Sequence, residues 1–213
     1  MSPIFQKLVF SAILGAGFSA CAPSNQVAND STGTGTEATP ISTPGMPQFA
    51  SPALVSEASQ ITQRFVGTLL PTLQTAMSEG GPLNAIDVCA VQAPQIAATL
   101  SNETGWDVSR VSLKARNSET ATPDTWERQV LMTFDQKQRM GEPGASLNVA
   151  ETVNGQFRYM QAQPTAPLCL TCHGSEVSAQ VISAIRSKYP NDLALGYQAG
   201  EIRGAISLVK DLD

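Results

Sequence analysis

The stretch LNVAETVNGQFRYMQAQ, residues 147 to 163, limits the possible folds more than any other. Two runs alternating apolar and polar residues flank Asn154-Gly155, the pair that best tolerates the two positive φ angles of a two-residue hairpin turn. An antiparallel sheet is therefore expected at the centre of the C-terminal half. Five residues beyond this hairpin comes LCLTCHGS, residues 168 to 175, holding two of the four cysteines and the single histidine of the chain.

Helices are expected around that sheet. Leu54, Val55, Ala58, Ile61, Phe65, Leu69, Leu73 and Met77 recur at helical spacing over residues 52 to 79, with a kink expected at Pro71 and a stop at Gly80-Gly81-Pro82. A second helix is predicted over 83 to 100, and Cys89 sits beside its apolar stripe. Val108 to Ala115 alternates like a strand, Pro123-Asp124 opens a helix, 177 to 189 reads as another helix and 204 to 209 as a last strand. Without repeated βαβ units, the pattern gives an α+β domain: an antiparallel sheet with flanking helices, preceded by N-terminal helices.

Cys169, Cys172 and His173 form a C-x-x-C-H motif. Covalent haem attachment uses this spacing: two thiols add across the porphyrin vinyl groups as thioethers, and the adjacent imidazole reaches the iron. A zinc site could draw on the same residues plus Cys89, a redox dithiol would use only the two cysteines, and a simple disulfide is the plainest alternative. One covalently attached haem c is the expected cofactor, because export supplies the compartment where such haem is attached and the cysteine usage leaves nothing to spare. His173 being unique, a second axial ligand must come from Cys89, Met132, Met140, Met160, a lysine, an amine or water. Arg110, Arg116 and Arg203 are expected either to grip the haem propionates or to pair with Asp124, Glu127 or Glu201. Trp126 and Tyr197 are expected in the core.

The N-terminus reads as targeting sequence. Lys7 precedes an apolar run from Leu8 to Phe18, and Ser19-Ala20 leads to Cys21, giving a lipoprotein-type signal over 1 to 20 and a lipidated Cys21, with an ordinary cleavable signal as the alternative. The apolar run is too short to span a bilayer. Residues 21 to 50 are rich in Ser, Thr, Gly and Pro and read as a disordered tether, leaving 51 to 213 as the folded, cofactor-binding domain. A periplasmic protein anchored to a membrane by its lipid follows, with the outer membrane favoured since no Asp follows Cys21. A net charge of −5 with only 13 Lys and Arg argues against a nucleic-acid partner.

Four separated blocks carry a resemblance: IDVCAVQAPQIA around Cys89, RVSLKARNSETATPDTWE from Arg110 to Glu127, CLTCHG, and YPNDLALGYQAGEIRGAISL from Tyr189 to Leu208. Together they resemble the Tll-like family of PAS-fold c-type haem domains, over most of the chain from about residue 55 onward. The resemblance implies a PAS-like sheet, haem bound through Cys169 and Cys172, and His173 and Cys89 as axial ligands. Asn117-Ser118 departs from the Asn-Pro common in the family.

The expected function is then redox or small-gas sensing, with CO or NO as candidate ligands of the reduced iron. A thiolate opposite an imidazole favours the ferric state and is held less well by ferrous iron, so reduction would release Cys89. Family members are often fused to output modules; none is present in this chain, so a separate signalling or redox partner protein is expected. An electron carrier without a switch is the first alternative, and a zinc or thiol-redox protein the second. An enzyme is not expected, because a peroxidase-type site needs an open coordination position and a distal acid-base residue.

Overall fold

The computed structural model describes residues 51–212. The signal segment, Cys21 and the tether lie outside the described residues. Helix α1 (Pro52–Asp87) leads through a single π-helical turn (Val88–Gln92) into α2 (Ala93–Thr104). Strand β1 (Asp107–Val111) and helix α3 (Thr125–Arg139) follow, then the hairpin of β2 (Asn148–Val153) and β3 (Gln156–Pro164). A short turn of helix, α4 (Leu170–His173), then α5 (Ala179–Lys188) and β4 (Ile202–Asp211) complete the chain. Among the described residues no helix is long and apolar enough to cross a membrane.

The four strands form one antiparallel sheet in the order β1-β4-β3-β2. The α+β architecture and the antiparallel sheet agree with a PAS-like fold. Val153 pairs with Gln156, and the two residues between them, Asn154 and Gly155, have φ of 52° and 80°, so the hairpin turn is the one its sequence specifies.

Alternation along the strands builds two cores. Phe157 and Tyr159 of β3, Ile206 and Leu208 of β4 and Val108 of β1 pack under Ala58, Ile61 and Phe65 of α1 and Leu100 of α2. Trp106 seals this layer with its ring edge-on to Phe157 at 5.8 Å between centroids. On the opposite face, Met160, Ala162, Ala205 and Val111 meet Val130, Leu131 and Phe134 of α3. Asp124 starts α3 with a capping box: its carboxylate accepts from the Glu127 N–H at 2.8 Å, and Glu127 accepts from the Asp124 N–H at 2.9 Å. A smaller cluster of Ile86, Val181 and Ile185 ties α5 to the end of α1.

Three local expectations need adjusting. The backbone keeps helical angles at Pro71, and the break falls at Gly81 alone, with φ 65° and ψ −158°. The strand expected over 108 to 115 stops at Val111, because the Ser112 hydroxyl donates to the Arg203 carbonyl at 2.6 Å and accepts from the Lys114 N–H at 3.2 Å. Gly204 permits the close crossing there, since a Cβ would collide with the Val111 carbonyl. The last strand runs from Ile202 to Asp211, longer than the expected 204 to 209, because it is paired on both sides.

Candidate haem site

A cavity of about 590 Å³ opens on the α1/α2 side of the sheet and is bounded by those helices, β1 and the α4 segment. Its volume falls within the roughly 300–1,000 Å³ of sites that enclose an organic ligand. Cys89, Cys169, Cys172, His173, Arg110, Arg116 and Arg203 all line it, so residues spread over more than half of the sequence share one space. Apolar walls come from Leu69, Leu73, Ala85, Ile86 and Ala93.

Each functional side chain reaches the cavity for a local reason. Cys169 ends a short 3-10 turn, and Cys172 and His173 lie on the single turn of α4, so the motif winds as helix and presents both thiols on the same side as the cavity. Among the described residues, Cys89, Cys169 and Cys172 are free and half-buried. Burial pushes the Cys172 thiol up, and Arg116 pulls against this shift. His173 is buried at 8% exposure, and its Nδ1 lies 2.9 Å from the Ala194 carbonyl oxygen. That bond requires the proton on Nδ1 and leaves Nε2 as the free lone pair, the tautomer of a metal-ligating histidine. Burial, then the positive Arg203 and Arg116, depress its pKa to about 2, so the imidazole is neutral at any ordinary pH.

Cys89 sits in the π-helical turn between α1 and α2. Such turns are rare and concentrate at functional sites, because the extra residue per turn re-aims a side chain. Of the methionines weighed as ligands, Met132 and Met140 are exposed and Met160 is buried on the other face of the sheet, against α3. Met77 of α1 does line the cavity, a position the sequence placed only in a helical stripe. Lys114 also borders it, but its Nζ donates to the Leu195 carbonyl at 2.6 Å and lies 4.0 Å from the Tyr197 ring centroid.

The arginines separate into two kinds. Arg116 is engaged: Nε donates to Asp192 Oδ1 at 3.1 Å, and Nη2 donates to the carbonyls of Cys172 at 2.6 Å and Ala194 at 3.1 Å. Arg110 and Arg203 make no side-chain hydrogen bond or ion pair among the described residues, and Arg110 Nε is buried without a partner. Burial, then Arg203, push the Arg110 guanidinium down to about 10. Two guanidiniums in one apolar cavity without a counter-charge are costly unless an anion joins them. Asp124 and Glu127, the acids the sequence offered as partners, are taken by Arg158 at 2.7 and 3.4 Å. Glu201 accepts from the Gln198 N–H instead.

Two contributors were not found in the sequence. Asp192 and Ala194 lie in the Pro190 to Gly196 loop, and Asp192 Oδ1 also accepts from the Ala194 N–H at 2.9 Å, fixing the carbonyl that holds His173. The Tyr197 N–H donates to the His173 carbonyl at 2.9 Å, and the Gly196 N–H to the Gly174 carbonyl at 2.9 Å, so this loop runs along the motif as a short parallel bridge. Tyr197 is buried as expected, and its ring meets His173 edge-on at 6.4 Å. Trp126 is only partly buried, with Arg158 over its ring at 4.5 Å and its N–H donated to Glu151 at 2.8 Å.

The donor set suits a flat, mostly apolar metallocycle with an anionic edge. It offers two thiols for attachment, one lone pair for the metal and two unpartnered cations. Among the described residues no group of three or more His, Cys, Asp or Glu side chains is arranged to hold a metal ion by itself, so the zinc alternative lacks its cluster.

No curated protein matches the chain. The cyanobacterial heme-protein Tll0287 has a crystal structure that aligns with a TM-score of 0.55 and 28% identity, covering 76% of this chain and 97% of that one. The family model described as Tll0287-like matches residues 31–210, nearly the whole of the described fold. The chain belongs to the Tll0287-like family.

Proposed function

We propose that this protein is an extracytoplasmic, monohaem c-type cytochrome-like protein, lipid-anchored through Cys21, that acts in redox or small-gas sensing and is not an enzyme. One observation carries the reading: a single cavity gathers both cysteines of the motif, a histidine with only Nε2 free, Cys89 and two guanidiniums that have no partner among the described residues. The heme-protein Tll0287, with which the chain shares 28% identity, supports it. A haem held here would supply a one-electron couple and, were one of its protein ligands released, a position for a diatomic gas.

The protein's own residues supply the rest. Cys169 and Cys172 would hold the ring edge, and His173, locked by Ala194, would ligate through Nε2. Arg110 and Arg203 neutralise the propionates, which also removes the repulsion between the two arginines. Cys89 is the second ligand, held by a π-helical turn whose geometry is coupled to α1 and α2 on either side. Release of its thiol would let that turn change pitch, and α1, continuous with it, would carry the change toward a partner protein. With His173 committed to ligation, the cavity keeps no second imidazole for distal acid-base work, which favours binding over catalysis.

Electronic absorption and low-temperature EPR of wild type and Cys89→Ala, oxidised and reduced, test the reading. A low-spin thiolate signal in the ferric wild type, lost in the variant, is expected, together with CO binding to the reduced wild type. An unchanged ferric spectrum in Cys89→Ala would remove Cys89 as ligand. Identical ligation in both oxidation states, with no CO binding, would leave an electron carrier and no sensor.

A further inference from the structure

We infer that Arg116 is a positioning residue that sets the ligand strength of His173 through a shared acceptor, the Ala194 carbonyl oxygen. This rests on the proposed ligation by His173. The Ala194 oxygen accepts from His173 Nδ1–H at 2.9 Å and from Arg116 Nη2 at 3.1 Å, using both of its lone pairs. The same Nη2 donates to the Cys172 carbonyl at 2.6 Å, so one guanidinium ties the attachment turn to the loop behind the histidine.

The pairing that holds this arrangement is buried. The Arg116 and Asp192 side chains are 14% and 2% exposed, and Asp192 Oδ1 takes both Arg116 Nε and the Ala194 N–H. Arg116 therefore cannot turn away to solvent, and its charge stays on the carbonyl. A cationic donor on one lone pair draws electron density from the oxygen and weakens what the other lone pair offers the imidazole N–H. The weaker that second bond, the less imidazolate character His173 has and the less it favours ferric iron. Arg110 and Arg203 are positive too, but neither donates to Ala194, so they act only through space.

The single histidine makes the test direct, because selective ¹⁵N-histidine labelling reports His173 alone. The Nδ1–H resonance and the midpoint potential are measured for the haem-loaded wild type, Arg116→Met and Asp192→Asn. Arg116→Met is expected to shift Nδ1–H downfield, as its bond to Ala194 strengthens, and to move the balance about tenfold toward the oxidised form, or about 59 mV for one electron. Asp192→Asn keeps the loop shape but leaves the Arg116 charge unneutralised, and both readouts move the opposite way. Should Arg116→Met misfold, the Asp192→Asn pair of readouts decides alone.

An Nδ1–H resonance that stays put in a folded variant while the potential moves would reduce Arg116 to a through-space charge and overturn the inference. Failure of the underlying reading looks different. If His173 is not the ligand, Nε2 shows no dependence on the oxidation state of the iron in wild type, and the inference falls with it.

Discussion

Alanine placed at two different glycines should move stability in opposite directions. Gly174 follows the motif histidine with φ −71° and ψ −176°, extended backbone open to any residue, so alanine meets no conformational penalty there. The obstacle is steric: a Cβ at Gly174 would lie 2.6 Å from the Leu170 carbonyl oxygen and 3.4 Å from its Cα. That carbonyl is fixed, since it accepts the Gly174 N–H at 2.9 Å. The turn must open by several tenths of an ångström, pulling on the Gly174 carbonyl that accepts from Gly196. Forced overpacking against backbone costs about 1–3 kcal/mol. Gly67, by contrast, is inside α1 with nothing within 4 Å of a new Cβ, and alanine there should stabilise by about 0.5–1 kcal/mol through helix propensity. Urea unfolding followed by circular dichroism compares both with wild type, and in the thermal midpoint each kcal/mol is worth about 2–4 °C for a domain of this size. Equal stabilities for Gly174→Ala and wild type, or a reversed order of the two variants, would mean that the Leu170 carbonyl does not exclude a Cβ at Gly174.

Glu127→Ala leaves the Ser207 hydroxyl, now donating at 2.7 Å, without its acceptor and Arg158 with only the half-exposed Asp124, so a loss of about 3–5 kcal/mol is expected in urea unfolding. Burial pulls the Asp124 carboxyl up, but the Glu127 N–H and Arg158 hold it below its ordinary value. Its contribution is therefore complete above the ordinary carboxylate range and is lost as pH falls through the folded-state value, so the stability gap between wild type and Asp124→Asn should close on acidification. Arg110→Met in the haem-loaded protein should lower the thermal midpoint, at a cost of about 3–5 kcal/mol, if Arg110 neutralises a propionate. A raised midpoint would identify Arg110 as an unpaired buried cation and refute that pairing.

The parts of the fold legible in the sequence were those written in short-range chemistry. Asn154-Gly155 specifies its turn through positive φ, Gly81 breaks the helix for the same reason, and Pro123-Asp124 marks the start of α3. Cys169, Cys172 and His173 stood out by their C-x-x-C-H spacing alone, and the structure brings all three to one cavity. What could not be read depends on tertiary contact. The arginine partners are one example: Arg158, on a strand beside α3, reaches Asp124 and Glu127 first, while Arg116 finds Asp192, 76 residues further along the chain. The Ala194 carbonyl is another, because a backbone acceptor leaves no trace in residue identity. The π-helical turn at Cys89 has no periodic signature of its own, and only its apolar surroundings were visible.

The proposed function stands on a covalent haem carried by Cys169 and Cys172 in this cavity. The direct measurement is the intact mass of the denatured protein, purified from cells equipped for c-type haem maturation and treated with a thiol-alkylating reagent. A mass raised by one haem is expected, with Cys169 and Cys172 unmodified by the reagent and Cys89 alkylated. A haem-free mass with all three of these thiols alkylated would contradict it.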